Sequence, residues 1–267
     1  MTHVVRLTWV YLKFRWKEQT THRASFILLA VCQFLSYAAE FALMWVMVTA
    51  FGSIGGWAGP EVMVLYGMNL AAYALSGFFF FGLFHDVTQD IHTGALDDAM
   101  VKPMHPMLFI ACRIFQWGYV SHLTLGLICV IAGVAMLGLS LSVWQVLFLI
   151  VSLLAGGMIY GCLFLVSSGV CFFSTKVEYF TQLLFYGRDV AYYPLSIFPK
   201  LYQVLMTFFL PYAFINFFPA QVLLGKQDLM GLPGAALWLS PLIGVVALAV
   251  GVWFFNFGLR HYKSTGN

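Results

Sequence analysis

Side chains able to do chemistry are gathered in one stretch of this sequence. His85 to Pro106, HDVTQDIHTGALDDAMVKPMHP, places four carboxylates, Asp86, Asp90, Asp97 and Asp98, against the single Lys102, between two long apolar runs. Carboxylates at this density can meet basic groups on another protein, or can simply be hydrated as an acidic turn. Either use needs water, so the stretch is expected to be a loop or short surface helix reaching out of hydrocarbon. Asp86 to Met100 can form about four helical turns broken near Gly94, with Pro103 and Pro106 ending them. Leu96 and Met100 then share a face that can press into a partner's groove.

Other candidate groups are sparse. Glu40 is the only charge in the first apolar run, and Arg188 and Asp189 are adjacent in a proline-interrupted segment. Neighbours on a helix point about 100° apart, so each is expected to need its own partner, and Glu40 is a candidate for Arg188. Ser167-Ser168-Gly169 lacks the surroundings of a serine nucleophile, and small-residue packing explains it better. The seven histidines form no HExxH pattern, and the five cysteines, Cys32, Cys112, Cys129, Cys162 and Cys171, form no CxxC. No catalytic or metal site is therefore expected, and the cysteines read as buried packing residues. Gly225-Lys226 lacks both the upstream glycine and the downstream hydroxyl of a phosphate-binding loop, so no nucleotide is expected to bind here by that route.

The elements that must position these groups follow from composition. With 62% apolar, 18% aromatic and 9% charged residues, the chain cannot clothe a soluble globule, which carries roughly 25% charged residues. It reads as one all-α integral membrane domain over residues 1–267, without nucleic-acid partners. Five of the thirteen Lys and Arg (Arg6, Lys13, Arg15, Lys17, Arg23) precede the first apolar run, which places the amino terminus in the cytoplasm. Residues 1–23 then read as an amphipathic helix along the membrane face, or as a plain basic flank. Spans are expected at 24–51, 62–84, 107–138, 144–173 and 235–259, with Arg113 near the inner end of the third, and residues 85–106 fall inside the cell.

Pro194, Pro199, Pro211 and Pro219 divide residues 176–233 into pieces shorter than a straight span. Two solutions give six crossings. One uses a short span at 176–193 followed by two re-entrant pieces; the other uses a kinked span at 201–224. Both return Arg260 and Lys263 to the cytoplasm. The fourteen aromatics from Tyr179 to Phe218 suit interface anchoring and packing, or an exit path for an apolar or lipid-like substrate. Gly157-x-x-x-Gly161 and Ala247-x-x-x-Gly251 allow close helix approach, within the subunit or in a dimer.

Two stretches carry a family likeness. His92-Thr-Gly-Ala-Leu-Asp97-Asp-Ala-Met-Val-Lys-Pro103 with Met104-His-Pro106 is similar to the Gly-x-Leu-Asp…Arg/Lys-Pro-x-x-Pro loop of short six-span ABC-2 type ABC exporter permeases that carry no fused ATPase. Gly187-Arg-Asp-Val-Ala-Tyr-Tyr-Pro194 through Pro199, continuing as Leu210-Pro-Tyr-Ala-Phe-Ile-Asn-Phe-Phe-Pro219, resembles a second run of the same branch. Lys102 stands where that branch usually has Arg, which keeps the charge but not the planar fork. The resemblance implies an amino-terminal interface helix, a cytoplasmic coupling helix at 85–106 and outer re-entrant helices at 194–225, and it favours the span at 176–193. It also implies an inner-membrane exporter subunit that dimerises with a copy of itself or a homologous permease. Separate ATPase subunits, carrying the ATP and Mg, would dock on Asp86, Asp90, Gly94, Leu96, Asp97, Asp98, Met100, Lys102 and Pro103. Glu40, Arg188, Asp189, Tyr192, Tyr193, Pro194, Pro211 and Asn216 would serve translocation or gating. The rival readings are an ion-driven secondary transporter and an intramembrane hydrolase.

Overall fold

The computed structural model describes residues 2–174, 182, 184, 187–227, 230 and 232–262. Among these the elements are helical: α1 (Thr2–Thr21), α2 (Arg23–Phe51), α3 (Gly59–Thr93), α4 (Ala95–Met100), α5 (Pro106–Arg113), α6 (Tyr119–Met136) and α7 (Val143–Val170), then short turns around α8 (Lys200–Val204) and α9 (Phe217–Leu224), and finally α10 (Ser240–His261). Five of them, α2, α3, α6, α7 and α10, are long and apolar enough to cross a membrane. The pieces Lys200–Phe209 and Tyr212–Leu224 together would supply a sixth, but they meet at a bend of 73°. Most of the alternative span at 176–193 lies outside the described residues.

α3 is the axle of the bundle. Glu61 opens it by accepting from the Ala58 amide at 2.7 Å, a carboxylate at the positive end of the helix dipole. Its residues from Val62 to Ala74 are almost wholly buried between α6 and α7. Contact with α6 depends on glycine: a Cβ at Gly67 would lie 2.6 Å from the Gly126 carbonyl oxygen, and one at Gly126 would lie 2.7 Å from the Ala71 nitrogen. Where lipid tails are as apolar as the helices, such backbone proximity is a main source of association. α10 repeats the device every seventh residue, laying Gly244, Gly251 and Gly258 on Ala155, Cys162 and Gly169 of α7. The small-residue motifs are thus used within the subunit, Gly157 against α3 and Gly251 against α7.

Four expectations change. First, the helical turns expected from Asp86 are not a separate surface helix but the end of the second span. α3 runs on to Thr93, and its 35 residues at 1.5 Å each make a rod of about 52 Å, well beyond the ~30 Å hydrocarbon core. Loss of hydropathy after Phe84 marks the end of the apolar face and not the end of the helix. Second, the third apolar run is broken at Ile114–Gly118. There the Gln116 amide donates to the Phe78 carbonyl at 3.2 Å, so the break is bonded to α3 instead of continuing its own ladder. Third, the last span begins at Ser240, after a 3₁₀ turn at Gly234–Trp238. Fourth, Cys32 is exposed, whereas Cys112 and Cys129 are buried as expected.

α1 lies against the break in the third run. Tyr11 packs edge-on to Phe109 and Trp16 to Trp117, while Val5, Trp9, Val10 and Phe14 stay exposed.

Candidate functional site

The acidic head is built on a small core of its own. Leu83, Val87 and Ile91 of α3 pack with Leu96 and Ala99 of α4 and with Met104, Phe109 and Ile110 beyond. Gly94 makes the corner: its φ of 74° is left-handed, and its carbonyl accepts from the Asp97 amide at 3.0 Å. Leu96 and Ala99, three apart, fix the inward face of α4.

That core decides which predicted residues can face a partner. Leu96 is completely buried in this chain's own core and cannot press into a groove elsewhere; Met100 is exposed, because the helix ends there and Val101 has begun to turn away. Asp90 is also turned inward, forming an ion pair with Arg113 of α5, whose guanidinium lies 5.9 Å from the Phe109 ring centre. A carboxylate only 11% exposed needs such a partner. Asp86 is half-exposed and bonded to His85 at 2.7 Å. Asp98 pairs with Lys102 at 3.3 Å, one helical turn on. The outward edge therefore consists of Asp98, Met100, Lys102 and Pro103, with Asp97 half-exposed beside them and the exposed Val101 added. Val101 could not be picked out from sequence, since only the burial of Leu96 and Ala99 determines which way this edge points.

The break after α5 is closed by one side chain. Gln19 of α1 donates from Nε2 to the Phe115 carbonyl at 2.9 Å and accepts at Oε1 from the Trp117 amide at 3.2 Å. Its amide thereby stands in for the helical partners those two backbone groups have lost. Arg15 Nε adds a longer contact of 3.4 Å to the same carbonyl.

The second constellation lies within the bundle, around Arg188. Arg188 and Asp189, expected to face apart, bond to one another: Nε and Nη2 reach Asp189 Oδ1 at 2.9 and 2.8 Å. The turn that begins at Ala191 and the length of the arginine side chain allow two neighbours to meet despite their helical offset. Glu40 is accordingly not the ion-pair partner of Arg188. The guanidinium instead sits 4.8 Å from the centre of the Tyr73 ring and donates to the Tyr37 hydroxyl at 3.4 Å.

Around it runs a buried polar chain. Asn69 donates to the Arg188 carbonyl at 3.2 Å and accepts from the Tyr160 hydroxyl at 2.6 Å. Asn216 donates to the carbonyls of Leu65 and Ala191 at 3.1 and 2.5 Å, and Tyr212 donates to the Leu184 carbonyl. Tyr192 is buried against Tyr66, their ring centres 4.8 Å apart, while Tyr193 is half-buried. Pro194 precedes the 3₁₀ turn Leu195–Ile197, and Pro211 stands at the 73° bend. Asn69 went unnoticed in the sequence, although a lone amide inside Met68-Asn-Leu-Ala-Ala is the signal that would have found it.

A cavity of about 740 Å³ opens between α2, α3 and α6, lined by Tyr37, Glu40, Tyr73, Tyr119, His122 and Arg188 among others. Among the described residues no three His, Cys, Asp or Glu side chains converge as a metal site would need. Residues 34–266 match the model of a family described as ABC-2 family transporter protein. No curated protein matches the chain.

Proposed function

From the premise that this chain belongs to the ABC-2 transporter family and is its multi-pass membrane component, we propose that it is the permease subunit of an ATP-driven exporter whose ATPase docks on the head formed by α4 and its flanks. The observation that carries this reading is the unbroken α3. One rod begins beside the glycine-rich loop that follows α2, passes through the buried core of the bundle, and ends in the acidic head. A displacement applied to the head is therefore applied to the axle, because a continuous helix offers no joint at which it could be absorbed.

In this reading the termini and the head face the cytoplasm from an inner membrane, and α1 lies on the membrane face. Two ATPases, holding ATP and Mg, close on a dimer of this chain with a copy or a homologue. The edge of Asp97, Asp98, Met100 and Val101 meets a groove with a basic rim, apolar contact giving affinity and the carboxylates register. Residues 194–225, with their 73° bend, form the re-entrant outer gate, and the substrate is an amphipathic or apolar molecule. Chemistry on nucleotide stays in the partner; this chain moves between two arrangements.

Charge reversal tests the docking edge. Asp97→Lys with Asp98→Lys is expected to lower co-purification of the cognate ATPase at least tenfold, or to uncouple hydrolysis from export, while membrane expression is unchanged. Unaltered ATPase binding and turnover would overturn the assignment.

A further inference from the structure

Resting on the transporter reading, and narrowing its substrate, we infer that the cavity between α2, α3 and α6 is a binding site for a lipophilic organic cation. Two charged groups line it, Glu40 and Arg188. The positive one is already matched, since Arg188 spends two donors on Asp189 and a third on Tyr37. Glu40 makes no ion pair among the described residues. The Tyr66 hydroxyl lies against it but gives its single proton to the Tyr37 carbonyl at 2.8 Å. The Arg188 charge also reaches Glu40, so Glu40 and Asp189 share one guanidinium and the site carries one negative charge in excess.

Two further features point the same way. Gln33, also on the lining, has a buried Oε1 without a hydrogen-bond partner, which a turn of its side chain would bring to the cavity as a second acceptor. Around these acceptors stand the rings of Tyr37, Phe81 and Tyr119, and aromatic rings with a carboxylate are the surroundings in which a poorly hydrated cation is held. An anion would meet a negative charge in excess and no spare cation. At about 740 Å³ the space lies within the ~300–1,000 Å³ usual for small-molecule sites.

Entry from the bilayer follows from how α2 is attached. Met44 and Val48 are its buried residues, both toward Phe51, whereas Cys32, Ser36, Ala39 and Leu43 line the cavity and are exposed. Between Cys32 and Leu43 one face of the helix, Phe34, Tyr37, Ala38 and Phe41, packs on the bundle, while the exposed flank beside it borders the cavity over about 16 Å, so an amphiphile can enter along that flank from the lipid.

Tetraphenylphosphonium and tetraphenylborate have the same shape and opposite charge, which makes them the discriminating pair. With the purified full chain in nanodiscs, without ATP or ATPase, tetraphenylphosphonium is expected to bind saturably and tetraphenylborate not to compete. Glu40→Gln should weaken the cation at least tenfold, and Glu40→Asp should keep most of the affinity. Leu43→Trp narrows the space without removing any bond and provides a second variant should Glu40→Gln fail to fold; it should also weaken binding. Bound cation should protect Cys32 from a maleimide. Equal binding of both ions, unchanged affinity in Glu40→Gln, or a Cys32–Cys32 cross-link marking the cavity as the seat of a second copy would each overturn the inference. Because the assay needs no ATPase, its failure leaves the docking result standing, and loss of docking leaves a positive binding result standing.

Discussion

Among the described residues α2 and α3 are the two longest helices, both apolar enough to span a bilayer, yet they have opposite roles in the fold. Most of α3 is enclosed by neighbours, whereas α2 buries only Met44 and Val48 along 29 residues. Hydropathy does not separate them. Glycine does: α3 contains Gly67, Gly77 and Gly82, each placed where a neighbour's backbone or side chain would collide with a Cβ, while Arg23–Phe51 contains none. In a solvent that gives apolar side chains no reason to leave it, backbone proximity decides which helix becomes the axle. The helix without glycine remains at the edge, held by larger side chains such as Phe34, Tyr37 and Phe41 along one face, with a cavity beside it.

The comparison breaks if the same enlargement has the same effect on both helices. Gly67→Leu must push α6 outward, since the Gly126 carbonyl oxygen of α6 would lie 2.6 Å from the first added carbon, and is expected to cost about 3 kcal/mol or more. Ala42→Leu, on the exposed face of α2, should change stability by no more than about 0.5 kcal/mol. Reversible unfolding in mixed micelles measures both. Equal losses would mean that α2 is as tightly seated as α3.

A second test concerns the part of α3 that leaves the bundle. Arg113→Ala would strand the Asp90 carboxylate, 11% exposed, against apolar neighbours. Removing one partner of a buried pair costs up to ~3–5 kcal/mol; with Arg113 itself one-third exposed, about 2 kcal/mol is the expected loss. Arg113→Ala combined with Asp90→Asn should recover most of it, since no stranded charge remains. Failure of the double variant to recover would show that the arginine acts through its packing on Phe109 and not through charge.

These two tests also separate what the sequence made legible from what it hid. The helical bundle, the exposed corner at Gly94 and the five long apolar segments follow from composition, a glycine and hydropathy. The far end of α3 does not, because nine polar and apolar residues after Phe84 continue a helix whose side chains, and not whose backbone, have changed solvent. The break at Ile114–Gly118 is hidden for the opposite reason: it carries no charge and no proline to interrupt the apolar run, and the group that stabilises it, Gln19, lies almost a hundred positions away. At the embedded site Arg188, Asp189 and Asn216 stood out as polar residues in an oily segment, but the pairing of Arg188 with its own neighbour depends on a turn that no periodicity announces. Asn69 was legible and was passed over.

Asn69 gives the third test. It ties α3 to α7 through Tyr160 and to the Arg188 carbonyl, while Tyr37 of α2 makes a longer contact, 3.4 Å, to the Arg188 guanidinium. Asn69→Ala leaves the buried Tyr160 hydroxyl without its acceptor and the Arg188 carbonyl with the Ala191 amide in place of two donors, an expected loss of about 1–2 kcal/mol. Asn69→Asp keeps the acceptor for Tyr160 but sets a carboxylate against the Arg188 carbonyl in a wholly buried site, and should lose at least as much as Asn69→Ala in the same unfolding measurement.

The smallest effect is expected where α1 holds the break. Gln19→Ala removes the donor to the Phe115 carbonyl and the acceptor from the Trp117 amide together, but Arg15 Nε remains 3.4 Å from that carbonyl and the site is only partly buried. A loss of about 1 kcal/mol is expected. Gln19→Glu discriminates further: the carboxylate still accepts from Trp117 and repels the Phe115 carbonyl, so it should be less stable than wild type by a similar amount, with Arg15 drawn toward the new charge. If the break is a passive irregularity, neither change will alter how ATPase binding responds to the head. If it is the joint that lets α5 move with the head while α6 stays with the axle, Gln19→Ala should loosen that link and reduce substrate-stimulated ATP hydrolysis more than its small stability cost explains, whereas Ala42→Leu on the edge helix should leave hydrolysis untouched.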